Sequence, residues 1–309
     1  MAPRRLLAAA ALLLLGALSI AGCGNSAGAN GRVKVVATTT QAADFARNVG
    51  GGRVDVMQIL AANADPHEYE VRPGDVRALS GAQLVVRSGG DLDAWMDDAI
   101  QSSGTKAPVL TLIDHVHQEH RDGELDPHWW QDPRNAEQGV AAIRDALIRV
   151  DGSHAAAYRT AATAYMRRIA ALDSAVARCM DGIPAARRKL VTTHDALGYY
   201  AQRYGIQVIG TVIPSLSTAG QPSAGDLAAL VRTIRAAHVS AVFAESSVNP
   251  KVEAALAKQS GARVGAPLWA DTLGPAGSNG ATYLASIASN TRSLADSFTN
   301  GATTCTLPD

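Results

Sequence analysis

Three of the chain's eight histidines stand where a folded backbone can aim them. Asp65-Pro66-His67 and Asp126-Pro127-His128 are two copies of one short turn. Proline fixes φ and aspartate favours a local turn, so each imidazole is presented by stiff backbone. A lone loop histidine says little, whereas two copies at matching points of the chain say more. His194 follows the apolar run at 189–193, and Asp271 stands in Leu268-Trp269-Ala270-Asp271-Thr272-Leu273-Gly274. Three neutral imidazoles and one carboxylate suit a borderline metal such as Zn²⁺ in tetrahedral geometry. Taken alone, Asp271 also reads as a turn or helix-capping residue. His154 and His238 fall in helical stretches and read as surface or capping residues.

His115, His117 and His120 alternate with acids in the segment 114–124 that leads into His128. Such alternation without a fixed scaffold gives weak, flexible ligation. The segment reads either as a mobile secondary metal site that captures or hands over an ion, or as a solvated polar loop.

The elements that must position these groups follow a βαβα rhythm. Strands are predicted over 33–39, 53–60, 83–88 and 109–113, with helices over 42–49, 73–80 and 92–101 between them. The rhythm resumes with strands over 189–193, 206–213, 241–244 and 263–266 and helices over 197–204, 224–237, 250–259 and 281–300. This pattern argues for α/β architecture, with parallel sheets covered by helices. Between the halves lies a helix over 135–150, and then Ser153 as N-cap of a longer helix reaching Cys179. The stripe Tyr158, Ala161, Tyr165, Ile169, Leu172 and Val176 has helical spacing, and the connector contains no Gly/Ser linker. Two lobes joined by one rigid helix are therefore expected. His67, His128, His194 and Asp271 fall just past the carboxyl ends of strands, two per lobe, which is where open α/β sheets bind ligands.

The first residues read as an export signal. Arg4 and Arg5 precede an apolar stretch at 6–18, and Ile20-Ala21-Gly22 precede Cys23. A cysteine after small residues resembles a bacterial lipobox, with Ile20 where leucine is more usual, and a plain signal peptide is the alternative. The polar segment 24–31 has tether composition. Past residue 22 no apolar run reaches the ~18 residues of a membrane span. Export leaves Cys179 and Cys305 in an oxidising compartment, where an isolated pair tends to join; two buried thiols are the alternative. Lys+Arg and Asp+Glu both number 28, so no basic excess points to nucleic acid.

With these residues in view, the chain resembles the cluster A-I substrate-binding lipoproteins of metal ABC transporters, the ZnuA/TroA-like family. The resemblance rests on Asp65-Pro66-His67-Glu68-Tyr69-Glu70, on Asp126-Pro127-His128-Trp129-Trp130-Gln131-Asp132-Pro133 and on His194-Asp195-Ala196-Leu197-Gly198-Tyr199-Tyr200. Phe243-Ala244-Glu245, Asn249-Pro250-Lys251 and Asp271-Thr272-Leu273-Gly274 complete it. Gln131 replaces a common leucine and Leu197 a common phenylalanine; neither is a ligand. The resemblance implies metal held between two lobes by His67, His128, His194 and Asp271. Histidine in the third position goes with zinc in this family, and a carboxylate with manganese. It further implies an extracytoplasmic monomer, lipid-anchored through Cys23, that delivers a zinc ion to an ABC permease in the cytoplasmic membrane. The expected divisions are a signal peptide at 1–22, a tether at 23–31, an N-terminal lobe at 32–152, a linking helix at 153–180 and a C-terminal lobe at 181–309. Glu245 is expected either to orient a histidine N–H or to cap the helix beginning near Asn249-Pro250, and Asp195 carries the same ambiguity.

The rival classes are a zinc hydrolase and a binder of organic solutes. A catalytic zinc keeps a position for water, and the sequence has no His-Glu-x-x-His, no Gly-x-Ser-x-Gly and no Gly-rich phosphate loop. Organic solutes want aromatic walls, and 5% of residues are Phe, Trp or Tyr.

Overall fold

A computed structural model describes residues 31–308. The export segment, Cys23 and all but the last residue of the 23–31 tether lie outside the described residues. The N-terminal half runs β1 (Val33–Ala37), α1 (Thr40–Gly50), β2 (Val54–Gln58), α2 (Pro73–Ser80), β3 (Leu84–Arg87), α3 (Met96–Ser103) and β4 (Val109–Thr111). These strands form one parallel sheet in the order β2-β1-β3-β4. Val33 pairs with Val54, Val35 with Leu84 and Val85 with Val109. The inner strands β1 and β3 are covered on both faces and read as near-continuous apolar runs, whereas the edge strand β2 exposes Asp55 and Met57. Val36 and Val85 pack towards Leu79 and Met96, while Val35, Ala37 and Val86 pack towards Phe45 and Trp129. Thr39 starts α1 by accepting the amide N–H of Ala42, which turns the chain at the carboxyl end of β1.

A short antiparallel hairpin follows, β5 (His120–Arg121) with β6 (Glu124–Leu125). Then come α4 (Pro133–Val150), capped by Asp132, and α5 (Ala155–Asp181). At ~1.5 Å per residue α5 is roughly 40 Å long. It carries neither Gly nor Pro. It is anchored at two points: Tyr165 donates to Asp44 on α1 (2.8 Å). Asp173 accepts from Arg203 (2.6 Å) and Tyr204 (2.8 Å). The expected helix start at Ser153 is corrected. A 3-10 turn at Gly152–His154 intervenes, and the Ser153 hydroxyl donates to Asp151 (2.6 Å) instead of capping α5.

The C-terminal half contains β7 (Lys189–Thr192), α6 (Gly198–Tyr204), β8 (Gln207–Thr211), α7 (Ala224–Ala237), β9 (Ala241–Val242), α8 (Lys251–Ser260), β10 (Arg263–Val264) and α9 (Tyr283–Thr299). Here the sheet is fragmentary. β7 pairs with β8 and β9 with β10, all in parallel. The two pairs meet through a hydrogen bond from Phe243 N–H to the Val191 carbonyl (2.9 Å). The strand order repeats that of the first half, but the strands are shorter than the sequence suggests. The fold is thus two α/β lobes on a long helix, and one apolar core runs through α1, α4, α5 and α9 into both. Cys179 near the end of α5 is paired with Cys305 in the tail, Cα atoms 5.6 Å apart. Among the described residues no helix is long and apolar enough to cross a membrane.

Candidate metal centre

His67 lies beyond β2, in a turn braced by its own aspartate. The His67 N–H donates to Asp65 Oδ1 (2.9 Å), and Asp65 Oδ2 accepts from Thr218 of the other lobe (2.7 Å). His128 repeats the device more deeply buried: its N–H donates to Asp126 Oδ1 (3.0 Å), and its Nδ1 lies 2.7 Å from the same oxygen. His194 lies just past β7, with its N–H 3.1 Å and its Nδ1 2.8 Å from Glu245 Oε1. Glu245 therefore orients His194, while Asn249 accepts from Lys251 N–H at the entry to α8. Asp271 stands three residues past Leu268, which bridges Glu245 in parallel. The segment before it is tied down by Asn290, which accepts from Trp269 N–H (2.8 Å). From the opposite lobe, Trp130 (3.1 Å) and Gln131 (2.7 Å) both donate to the Ala270 carbonyl.

A carboxylate only accepts, so Nδ1 is the protonated nitrogen of His128 and of His194. Each Nε2 is left to bind something else. The Nε2 atoms of His128 and His194 are 3.2 Å apart. His128 Nε2 is 3.3 Å from Asp271 Oδ1, while His194 Nε2 (3.3 Å) and His67 Nε2 (3.4 Å) face Oδ2. A tetrahedron with metal–ligand bonds of ~2.0–2.1 Å has edges of about 3.3–3.4 Å. All four donor atoms lie within 4.8 Å of one another. His67 Nε2 and both oxygens of Asp271 are buried without a hydrogen-bond partner. Orphaned buried polar atoms are costly, and a divalent cation at their centre would satisfy all of them.

Without the cation, protons substitute for it. Burial would lower the His128 pKa, but Asp126 and Asp271 outweigh burial and push it up to about 10. His194 is likewise raised against its own burial by Glu245 and Asp271. Burial raises Asp271, yet the facing histidines, His194 foremost, hold its carboxyl well below the usual range. Buried Trp130 shields the centre, its ring 5.6 Å from that of His128. The side chain of His67 is 5% exposed and the other three 0%.

The other expected metal residues are not gathered. His115, His117 and His120 are exposed. Among the described residues, His67, His128, His194 and Asp271 form the one cluster of three or more such groups. The segment read either as a mobile secondary site or as a solvated polar loop enters the β5–β6 hairpin at its end, and Asn135 clips the His117 backbone at 3.1 and 3.0 Å. The braces Asp65 and Asp126 escaped the sequence analysis as functional groups. Their signal was present: both Asp-Pro-His turns place the carboxylate two residues before the imidazole.

Residues 35–297 match the family described as zinc-uptake complex component A, periplasmic (ZnuA). The chain belongs to the ZnuA family. Its members here are substrate-binding proteins of metal ABC transporters, and it is a metal-binding solute receptor rather than an enzyme. The zinc-binding protein TroA of Treponema pallidum is 31% identical over 273 residues, covering 85% of this chain and 88% of TroA. The manganese-binding lipoprotein MntA of Bacillus subtilis is 32% identical over 286 residues, covering 88% and 93%. The solved structure of the periplasmic TroA superposes with a TM-score of 0.82 at 28% identity, covering 87% of this chain and 99% of that one. That likeness agrees with the expected two-lobe architecture.

Proposed function

We propose that this ZnuA-family protein is the zinc-capturing, extracytoplasmic component of an ABC importer, with His67, His128, His194 and Asp271 as its ligands. The observation that carries the reading is the third imidazole. His194 has its Nδ1 committed to Glu245 and its Nε2 turned to the other donors, giving a nitrogen-rich, tetrahedrally spaced set that suits zinc over manganese. The protein is read as a monomer held to the membrane by a lipid on Cys23 after removal of residues 1–22, with 23–31 as tether. It hands zinc to a permease from a cleft between lobes at 32–152 and 181–309, which the helix at 153–180 connects. A disulfide between Cys179 and Cys305 fits an oxidising compartment. The exposed histidines at 115, 117 and 120 are at most a weak accessory site.

A manganese reading is favoured by the likeness to MntA and by Asp271, both of whose oxygens face the imidazoles and could chelate a higher-coordinate ion. Cobalt substitution separates the two. The intense visible bands of four-coordinate Co²⁺, displaced stoichiometrically by Zn²⁺, are expected. The pale spectrum of six-coordinate cobalt, with Mn²⁺ binding close to Zn²⁺ in strength, would contradict the zinc reading.

A further inference from the structure

Arg121 supplies no ligand, yet it stands behind two of the histidines. It sits on β5, next to His120. Its Nε lies 3.2 Å from Asp126 Oδ2, and a terminal nitrogen lies 3.2 Å from Glu119 Oε2, both on the N-terminal side. The same Nε is 3.9 Å from Asp195 Oδ2 in the other lobe, one residue past His194. Asp126 is the carboxylate whose other oxygen aims His128. One guanidinium therefore spans the cleft and holds the carboxylate that positions a ligand.

The start of α6 is shaped to receive it. A Cβ at Gly198 would meet the Arg121 guanidinium at 2.2 Å, so only glycine leaves that seat open. The neighbouring Tyr199 hydroxyl accepts from Glu119 N–H (2.8 Å) and donates to the Asp126 carbonyl (3.2 Å), tying the hairpin to the same helix. Arg121 is nevertheless 28% exposed, beside a cavity of ≈ 330 Å³ that Glu124, Asp195, Ser215 and Leu216 also line. The side chain has room to swing out.

We propose that Arg121 is the clasp of the cleft, a positioning residue that holds the hairpin on the C-terminal lobe and steadies Asp126 against His128. Its engagement sets the rate at which bound metal leaves. The planar fork matters, because its Nε and terminal nitrogen hold Asp126 and Glu119 at once while the charge faces Asp195, a geometry that a lysine ammonium does not fix. Breaking such a pair acts mainly on dissociation. The inference rests on the metal-centre reading, so two readouts are needed, one of which does not depend on metal.

The first is the zinc release rate into excess chelator, for the mature chain and its Arg121→Ala, Arg121→Lys and Gly198→Ala variants. Arg121→Ala should speed release at least about tenfold, with Arg121→Lys in between. Gly198→Ala keeps every charge but fills the seat, and should act in the same direction. The second is amide exchange in the metal-free protein. It should quicken at residues 119–125 and 195–199 in Arg121→Ala and leave α4 and α5 unchanged. Release within about twofold of wild type in both Arg121→Ala and Gly198→Ala would overturn the clasp. Unchanged exchange at the hairpin would overturn it as well. A wild type that holds no zinc would contradict the metal reading, and exchange would still decide on the clasp.

Discussion

The two lobes contribute equally to the centre, with two donors each, but they hold those donors by different means. In the N-terminal lobe, His67 and His128 are each braced by an aspartate two residues upstream, His67 beyond β2 of the four-stranded sheet and His128 directly after the β5–β6 hairpin. In the C-terminal lobe the sheet is broken into two-stranded pieces, and the bracing is long-range. Glu245 reaches His194 across 51 residues, and Asp271 depends on Asn290, Trp130 and Gln131, which hold the segment before it. The N-terminal half of the site is thus encoded locally. The C-terminal half exists only when tertiary structure is complete.

The largest effect expected is on ligand loss. His194→Ala should reduce metal affinity by more than the about 10–100-fold that removing an outer partner costs, as read by chelator competition. Affinity equal to wild type would remove His194 from the site. Next comes pH. The metal-free His128 carries a proton that the metal must displace, because its pKa is pushed up to about 10. Between the ordinary value near ~6.5 and about 10, affinity should therefore rise about tenfold per pH unit and then flatten. The same shift fixes the sign for stability. A raised folded-state pKa contributes stability that is fully present below ~6.5 and lost as pH rises through the folded value. Metal-free protein should thus lose melting temperature from pH 7 to 10, and metal-loaded protein much less. Equal losses would contradict it.

The lobes themselves are compared by removing one brace from each. Asp126→Asn and Glu245→Gln should each weaken binding about 10–100-fold. Only Asp126→Asn should also loosen the hairpin, since only Asp126 bears the Arg121 contact. Removing the bridge with Cys179→Ser and Cys305→Ser should cost up to about 5 kcal/mol of stability in the chain-entropy model, given a separation of 126 residues. Metal affinity should stay unchanged, because the tail carries no donor. The smallest effect is in overall shape. α5 lacks Gly and Pro and is anchored in both lobes, so it resists bending. Small-angle scattering should give nearly the same radius with and without metal.

The βαβα order was legible because apolar strands are local patterns, and His67 and His128 because Asp-Pro-His turns are; His194 and Asp271 were placed by their position past strands and by the family resemblance. What escaped was short or distant. The β5–β6 hairpin has two residues per strand, too few to show any alternation, so Arg121 was hidden in a segment that reads as loose. The Ser153 start failed because Asp151 competes for its hydroxyl. β9 and β10 shrank to two residues each because their continuations are held by single bridges such as Glu245–Leu268, which no propensity foretells. Glu245 itself could be read two ways until the fold brought it beneath His194.

The central claim, one divalent ion shared by the two lobes, is tested most directly by diffraction from zinc-loaded protein on both sides of the zinc absorption edge. A single strong anomalous peak is expected, ~2.0–2.2 Å from the Nε2 atoms of His67, His128 and His194 and from a carboxylate oxygen of Asp271. A peak at His115, His117 and His120 alone, or none between the lobes, would contradict it.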